Sequence, residues 1–535
     1  MVDGGGGVNL REMVDGEISH IVVAYRLVRR NVVFFTPLRV VFRRRCGCSY
    51  GGCGSRRCGC VDGGRSFAEP GLGLQIARRM SDAGLLEIQE TDHDQQQLSP
   101  EDPRPLSEIW KEIQGENNWE NLLDPINSHL RREIIRYGEM AQACYDSFDF
   151  DPHSKYCGTC KYGGAHFFER LGMAGRGYTL TRFLYATSNI NLPNFFQKSN
   201  VGSIWSQHAN WMGYVAVATD EAEVRRLGRR HRHRVAGTVT YLEWIHDLKD
   251  ILQPAHFRDD PSIKIESGFF ELYTSKEKSC KYCSVSAREQ VLAELRRIIH
   301  RYRDENLSIT ITGHSLGAAL ALLSAYDIAE MKLNIIDDGQ EIINKIPVTV
   351  FSFSGPRVGN LKFKERCDEL GVKVLRVINV HDKVPTVPGI IANEKFQYQK
   401  YIEDKISFPW SYAHVGVELA LDHTHSPFLK NTGDIRCSHN LEAHLHLMDG
   451  YHGKNNKFCL VSNRDIALVN KSCDFLKSEY GVPPYWWQDE HKGMVRTSDG
   501  RWVLPERPRI EAHPLDTAHH FEQVIKYARA KLEAF

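Results

Sequence analysis

The stretch SITITGHSLGAALALLSAYDIAE, Ser308 to Glu330, carries two hydrophobic periods that meet at a single serine. Ile309 and Ile311 alternate with threonines, which predicts a short strand. Beyond Gly317 a run of good helix formers places apolar residues at helical spacing. Ser315 therefore falls on a strand-to-helix turn within Gly313-His314-Ser315-Leu316-Gly317, the G-x-S-x-G pattern of a nucleophile elbow. Such a turn holds the nucleophile in strained torsions, and glycines two residues to either side keep side chains out of the adjoining strand and helix. It also aims the N–H of Leu316 and the start of a helix at a developing oxyanion. Serine is equally a preferred helix N-cap; the strand before, the helix after and the small Ala318 and Ala319 favour the elbow.

The flanking sequence supplies a sheet for such a turn. REQVLAELRRIIHRYRDE is a helical pattern leading into the elbow strand, and HLRREIIRYGEMAQACYDSF is an amphipathic helix carrying Leu130, Ile134, Ile135, Met140, Ala141 and Cys144. MGYVAVAT, KIPVTVFSFSGP and VKVLRVINVHD read as near-continuous apolar strands. Strands of that kind alternating with helices predict an α/β fold with a mostly parallel central sheet covered on both faces. Lys and Arg number 68 against 67 Asp and Glu, so overall charge gives no reason to expect a nucleic-acid partner. No run reaches the ~18 apolar residues of a spanning helix, leaving peripheral contact as the expected relation to a membrane.

A serine hydroxyl needs a histidine base, and the base needs a carboxylate to orient it. In a sheet of this type the acid and then the histidine follow the serine along the chain, at strand ends. Asp382, in VLRVINVHDKVPTVPG, stands directly after an apolar strand and before a Pro-rich loop, and is the candidate acid; a turn or cap aspartate is the alternative. With 24 histidines in the chain the base is harder to choose. The densest downstream group is CSHNLEAHLHLMDGYHG, with His439, His444, His446 and His452. His439 precedes a predicted short helix, on a loop able to swing its ring towards Ser315. His519 and His520 read as decoration of a C-terminal exposed helix.

Residues 1–104 differ in texture from the rest. GGGG and RRRCGCSYGGCGSRRCGC are low-complexity, the Arg-interrupted apolar run Ile21–Arg45 suits an organelle-targeting segment, and DHDQQQLSPEDPRP reads as a linker. Asp3, Glu12, Asp15 and Glu17 are unusual for a transit peptide, and a start at Met80 is the alternative reading. Of the 14 cysteines, Cys157/Cys160 and Cys280/Cys283 form two C-x-x-C pairs, too far apart in sequence for an ordinary zinc knuckle; free thiols are expected.

From about Trp110 to Pro508 the chain resembles the plant class I phospholipase A1 family, in its plastid-targeted gamma branch, a relative of fungal triacylglycerol lipases. The resemblance rests on WKEIQGENNWENLLDPINSHLRREIIRYGEMAQACYDSFDFDPHSKYCGTCKY, YATSNINLPNFFQKS, WSQHANWMGYVAVATDE, GHSLGA, FSFSGPRVGN, VINVHDKVPTVPG, SFPWSYAHVGVEL and HNLEAHLHLMDGYHGK. It implies an α/β-hydrolase fold over residues 105–508 with a helical tail at 509–535. It also implies sn-1 deacylation of phosphatidylcholine and plastid galactolipids at a membrane surface, a chloroplast location, and no metal or organic cofactor. The family triad maps onto Ser315, Asp382 and His439, the first histidine of HNLEA, with His446 as the alternative base. Its second oxyanion donor maps onto Thr238.

One segment departs from the family. Where a buried apolar strand of the type Ile-Val-Ile-Ala-Trp-Arg-Gly-Thr is expected, the chain reads GRRHRHRVAGTVTYLEW, with four basic residues from His231 to Arg234 before the pattern resumes at Gly237-Thr238. Burying unpartnered charges there costs several kcal/mol. A compensated frame error explains the break best; a real adaptation would weaken the fold and leave a poorly active lipid-binding protein. Tyr241, Leu242, Trp244 and Ile245 are candidates for a lid or acyl groove, or for packed helix core. A triacylglycerol lipase is the alternative activity.

Overall fold

The computed structural model describes residues 101–149, 158–187, 210–219, 252–255, 257, 260–280, 282–337, 342–389, 411–487, 495–496 and 502–503, with the backbone of 233–239. The N-terminal tract, the possible start at Met80, Cys157, the lid candidates Tyr241, Leu242, Trp244 and Ile245, and His519 and His520 lie outside the described residues.

Seven strands form the central sheet in the order in which they occur along the chain: β1 (Tyr178–Ala186), β2 (Asn210–Ala218), β3 (His233–Val239), β4 (Asn306–His314), β5 (Val348–Phe353), β6 (Lys373–Asn379) and β7 (Val417–Leu421). The first two pairings are antiparallel and the remaining four parallel, so the sheet is mostly parallel as expected. Every residue of β2 and β5 is buried, the mark of strands covered on both faces. β1, at the sheet edge, mixes buried and half-exposed positions.

Helices cover the two faces. On one side lie α1 (Leu106–Ile113), α2 (Ser128–Ser147) and, late in the chain, α7 (Leu441–Gly450), packed with Phe351, Phe353, Leu375 and Val377. On the other lie α3 (Ser267–Thr274), α4 (Ala287–Arg301), α5 (Leu316–Glu330) and α6 (Leu361–Leu370), around Ile309, Ile311, Val348 and Val350. Local chemistry sets the ends of these helices. Asn127 caps α2 through the N–H groups of His129 and Leu130. Ser286 and Glu289 form a reciprocal capping box that starts α4. All six apolar residues expected on the buried face of α2 are buried.

The chain at the basic segment does form a strand. β3 runs parallel to β4, pairing His233 with Asn306 and Ala236 with Ile309, and antiparallel to β2, with Thr238 opposite Tyr214. The β2–β3 register shifts between Tyr214 and Val217, so the ladder is irregular on that side.

Candidate active site

Ser315 sits where β4 gives way to α5, with φ 59° and ψ −126°, a left-handed backbone that a non-glycine residue adopts only under constraint. Its own N–H is anchored to the Phe353 carbonyl of β5 at 2.9 Å, and its carbonyl accepts from Ala318 N–H at 3.0 Å. The tightness of the turn explains Gly313: a Cβ there would come within 2.3 Å of the Gly317 backbone. Gly355, in the neighbouring loop, lies against the small Ala318, where an added Cβ would stand 2.8 Å from the alanine methyl. The elbow expected from sequence is formed. Leu316 opens α5, whose first N–H groups have no acceptor within the helix.

Asp382 follows β6, and His439 immediately precedes Asn440, the N-cap of α7. The two meet in the protein interior: His439 Nδ1 lies 2.6 Å from Asp382 Oδ2, and both residues are 3% exposed. The ionised carboxylate only accepts, so Nδ1 carries the proton and Nε2 keeps its lone pair. Val384 N–H donates to the other Asp382 oxygen at 2.9 Å. Burial alone would raise the Asp382 pKa, but the neighbouring His439 and its hydrogen bond, with His444 and Ser354, hold it below the ordinary value. Ser315 Oγ and His439 Nε2 are both buried and neither has a hydrogen-bond partner. Those are the two atoms between which a nucleophile hands over its proton.

Two further side chains brace this arrangement, and residue-by-residue reading of the sequence missed them. His314 Nε2 lies 2.8 Å from the His439 carbonyl oxygen, and its Nδ1 lies 2.7 Å from Tyr145 Oη on α2. A carbonyl only accepts, so Nε2 donates and Nδ1 receives the tyrosine proton. The ring is neutral, and burial, then the adjacent His439 and His444, push its pKa well below the ordinary value. The His314 and His439 rings stand 4.5 Å apart. His314, the residue before the serine, is thus tied to the backbone of His439. Ser354, next to β5, is the second brace, bonded to His444 Nε2 at 2.6 Å.

His446, the alternative base, points elsewhere. Its Nε2 is held by Ser426 Oγ at 2.9 Å, and its ring packs on Phe428 and Phe458. Burial, aided by Arg464, takes its pKa down to about 3. Thr238 is positioned only by its backbone register on β3. Cys280 and Cys283 share a small buried cluster with Tyr282, and Cys160 is also buried. The only grouping of three metal-capable side chains among the described residues is His381, Asp422 and His423, which involves none of the cysteines.

Residues 234–392 match the family Lipase (class 3). Over 431 residues the chain is 71% identical to phospholipase A1-Igamma3, chloroplastic, of Arabidopsis thaliana, covering 78% of this chain and 81% of that protein. It is 56% identical over 436 residues to phospholipase A1-Igamma1, chloroplastic, of the same plant, covering 78% and 84%. Similarity extends to the Arabidopsis galactolipase DONGLE, chloroplastic, at 45% identity over 353 residues, covering 64% and 70%.

Proposed function

The chain belongs to the plant class I phospholipase A1 family of class 3 lipases, in its gamma branch, and from that premise we propose that it is a chloroplast acylhydrolase that releases the sn-1 fatty acid of phosphatidylcholine and plastid galactolipids. The observation that carries the reading is the buried 2.6 Å bond between His439 and Asp382, tied by His314 to the strained Ser315 that directly follows it.

Ser315 Oγ attacks the sn-1 ester carbonyl while His439 Nε2 takes its proton. Asp382 keeps the ring in the required tautomer and stabilises the imidazolium that forms. The negative charge on the tetrahedral oxygen is met by the N–H of Leu316, at the start of α5, and by that of Thr238. Collapse expels the lysolipid alkoxide, which takes the proton from His439. Water, deprotonated by the same ring, then attacks the acyl-enzyme and frees the fatty acid and Ser315. The chemistry requires no metal or organic cofactor. A substrate with two acyl chains is presented by a bilayer, so peripheral contact with a membrane surface accompanies the reaction. No helix among the described residues is long and apolar enough to cross one.

The experiment is a product analysis. The protein is incubated with vesicles of phosphatidylcholine, galactolipid and triacylglycerol carrying distinguishable chains at sn-1 and sn-2. Free sn-1 acid with the matching 2-acyl lysolipid is expected. Release from sn-2 would refute the reading, and hydrolysis of triacylglycerol alone would replace it with neutral-lipid lipolysis. Labelling by a fluorophosphonate, lost in Ser315→Ala, separates an active enzyme from a protein that merely binds lipid.

A further inference from the structure

The ends of the parallel strands β6 and β7 bring together three donor side chains that ester hydrolysis does not use. Asn379 at the end of β6 is in register with Leu421 at the end of β7. His381 lies two residues beyond the first, and Asp422 and His423 directly follow the second. One potential ligand atom from each of His381, Asp422 and His423 falls within 4.8 Å of the others. His381 Nε2 is 3.0 Å from Asp422 Oδ1, and the two imidazole rings are 4.4 Å apart.

His423 distinguishes this cluster from an ordinary surface ion pair. It is 1% exposed, yet its Nε2 has no hydrogen-bond partner. An orphaned buried nitrogen calls for an explanation, and a role as a cation ligand is one that fits the neighbours. The Asn379 amide faces His423 Nδ1 with its nitrogen at 3.1 Å and its oxygen at 3.3 Å; with the proton on Nδ1 the oxygen accepts it, and Nε2 keeps a lone pair for a ligand. Asp422 is oriented in turn by the N–H and hydroxyl of Thr424, at 2.8 and 2.7 Å. Partners of this kind fix the tautomer and aim of metal ligands.

We propose that His381, Asp422 and His423 form a binding site for a divalent cation of the zinc class. Two imidazoles and one carboxylate select zinc, cobalt or nickel over calcium and magnesium, which take oxygen donors. Tetrahedral zinc, with bonds of about 2.0–2.1 Å, sets its ligand atoms roughly 3.3–3.4 Å apart. The donors must therefore close somewhat, and His381, with 44% of its side chain exposed, has room to move. Solvent completes the coordination on that open side. The ion stands apart from the ester chemistry but close to its scaffold. His381 adjoins Asp382, and Asn379, the partner of His423, also donates to the Ser438 carbonyl at 3.1 Å, one residue before His439.

The test uses the full chain, freed of metal by chelation, with Zn²⁺ followed by titration calorimetry and Co²⁺ by absorption. One saturable Zn²⁺ per chain is expected, weakened at least tenfold in His381→Ala and in Asp422→Asn; the first changes an exposed side chain, and the second keeps a residue able to cap the same turn. Bound Co²⁺ should show visible ligand-field bands without a thiolate charge-transfer band. Absence of saturable binding, affinity unchanged in His381→Ala, or a thiolate band assigning the metal to cysteines would each overturn the site.

Discussion

At the scale of single residues, the division of labour among the histidines is set by what each ring nitrogen touches. His439 has one nitrogen on Asp382 and the other unpartnered, whereas His446 is committed to Ser426 between two phenylalanines. His439→Ala should therefore lose activity as Ser315→Ala does, on the order of 10⁴-fold in kcat. His446→Ala should keep most of its turnover and lose stability, by about 2 kcal/mol or more for a buried ring removed from its hydrogen bond. Phosphatidylcholine hydrolysis and thermal melts on the three variants check this, and an inactive but stable His446→Ala would transfer the role of base. The strand-to-helix turn at Ser315 was legible because its signal is local: a period of two turns into a period of 3.6 within ten residues. Asp382 was legible as the end of an apolar strand. His439 needed the family resemblance, since 24 histidines offer no periodic clue. The braces were invisible to pattern, because His314 meets a carbonyl 125 residues away and Ser354 meets a ring 90 residues away.

At the scale of elements, the placement of His439 depends on how closely α7 seats against α2. Gly138, in the middle of α2, makes that approach possible: a Cβ there would lie 2.2 Å from Leu445 Cδ2 and 3.0 Å from Phe353 Cζ. Gly138→Ala should gain helix propensity of about 1 kcal/mol yet still destabilise, because relieving the overlap moves Leu445 or α7 at a cost of about 1–3 kcal/mol. Any shift of α7 carries Asn440 and His439 with it, so kcat should fall along with Tm. A more stable and fully active Gly138→Ala would show that Leu445 repacks freely. The same scale holds the puzzle of β3. Its backbone takes an interior place between β2 and β4 although the sequence leading into it is basic. Replacing His231 to Ala236 with Ile-Val-Ile-Ala-Trp-Arg should raise both Tm and turnover, since interior strands of a doubly covered sheet favour apolar residues. If transcript sequencing confirms the basic run and the replacement improves neither, the run is a genuine feature. Strands β2, β5 and β6 could be read as continuous apolar runs. β1 could not, because an edge strand of half-exposed positions has neither a clean alternation nor a continuous run.

At the scale of the whole molecule, several imidazoles among the described residues are kept out of water, and this makes the fold sensitive to acid. His314, His444, His446 and His452 are 0–3% exposed, and burial is the leading cause of a lowered pKa in each. In the unfolded chain these rings take up protons near pH 6.5, while in the folded protein they do so only at lower pH. Between the two values the unfolded state binds more protons, so stability is complete above about pH 7 and is lost as pH falls through 6.5 towards each folded value. For His446, moving from 6.5 to about 3, the loss between pH 7.5 and pH 5 is about 2 kcal/mol. The positive Arg464 nearby adds to the cost of charging that ring. The other three contribute with the same sign. Asp382 acts only further down: its depressed pKa supports the fold above the ordinary carboxylate range, and that support disappears as the group protonates near the acid end. Urea unfolding should therefore show a midpoint that falls between pH 7 and pH 5, against the opposing contribution of Asp327, Asp368, Glu442 and Asp449, whose carboxyl pKa values burial raises. In His446→Gln, whose amide can still meet Ser426, the pH 7.5-to-5 difference should shrink by about 2 kcal/mol. A variant whose pH dependence matches that of the parent would mean that the ring titrates normally in the folded protein, through water reaching what the packing of Phe428 and Phe458 now seals.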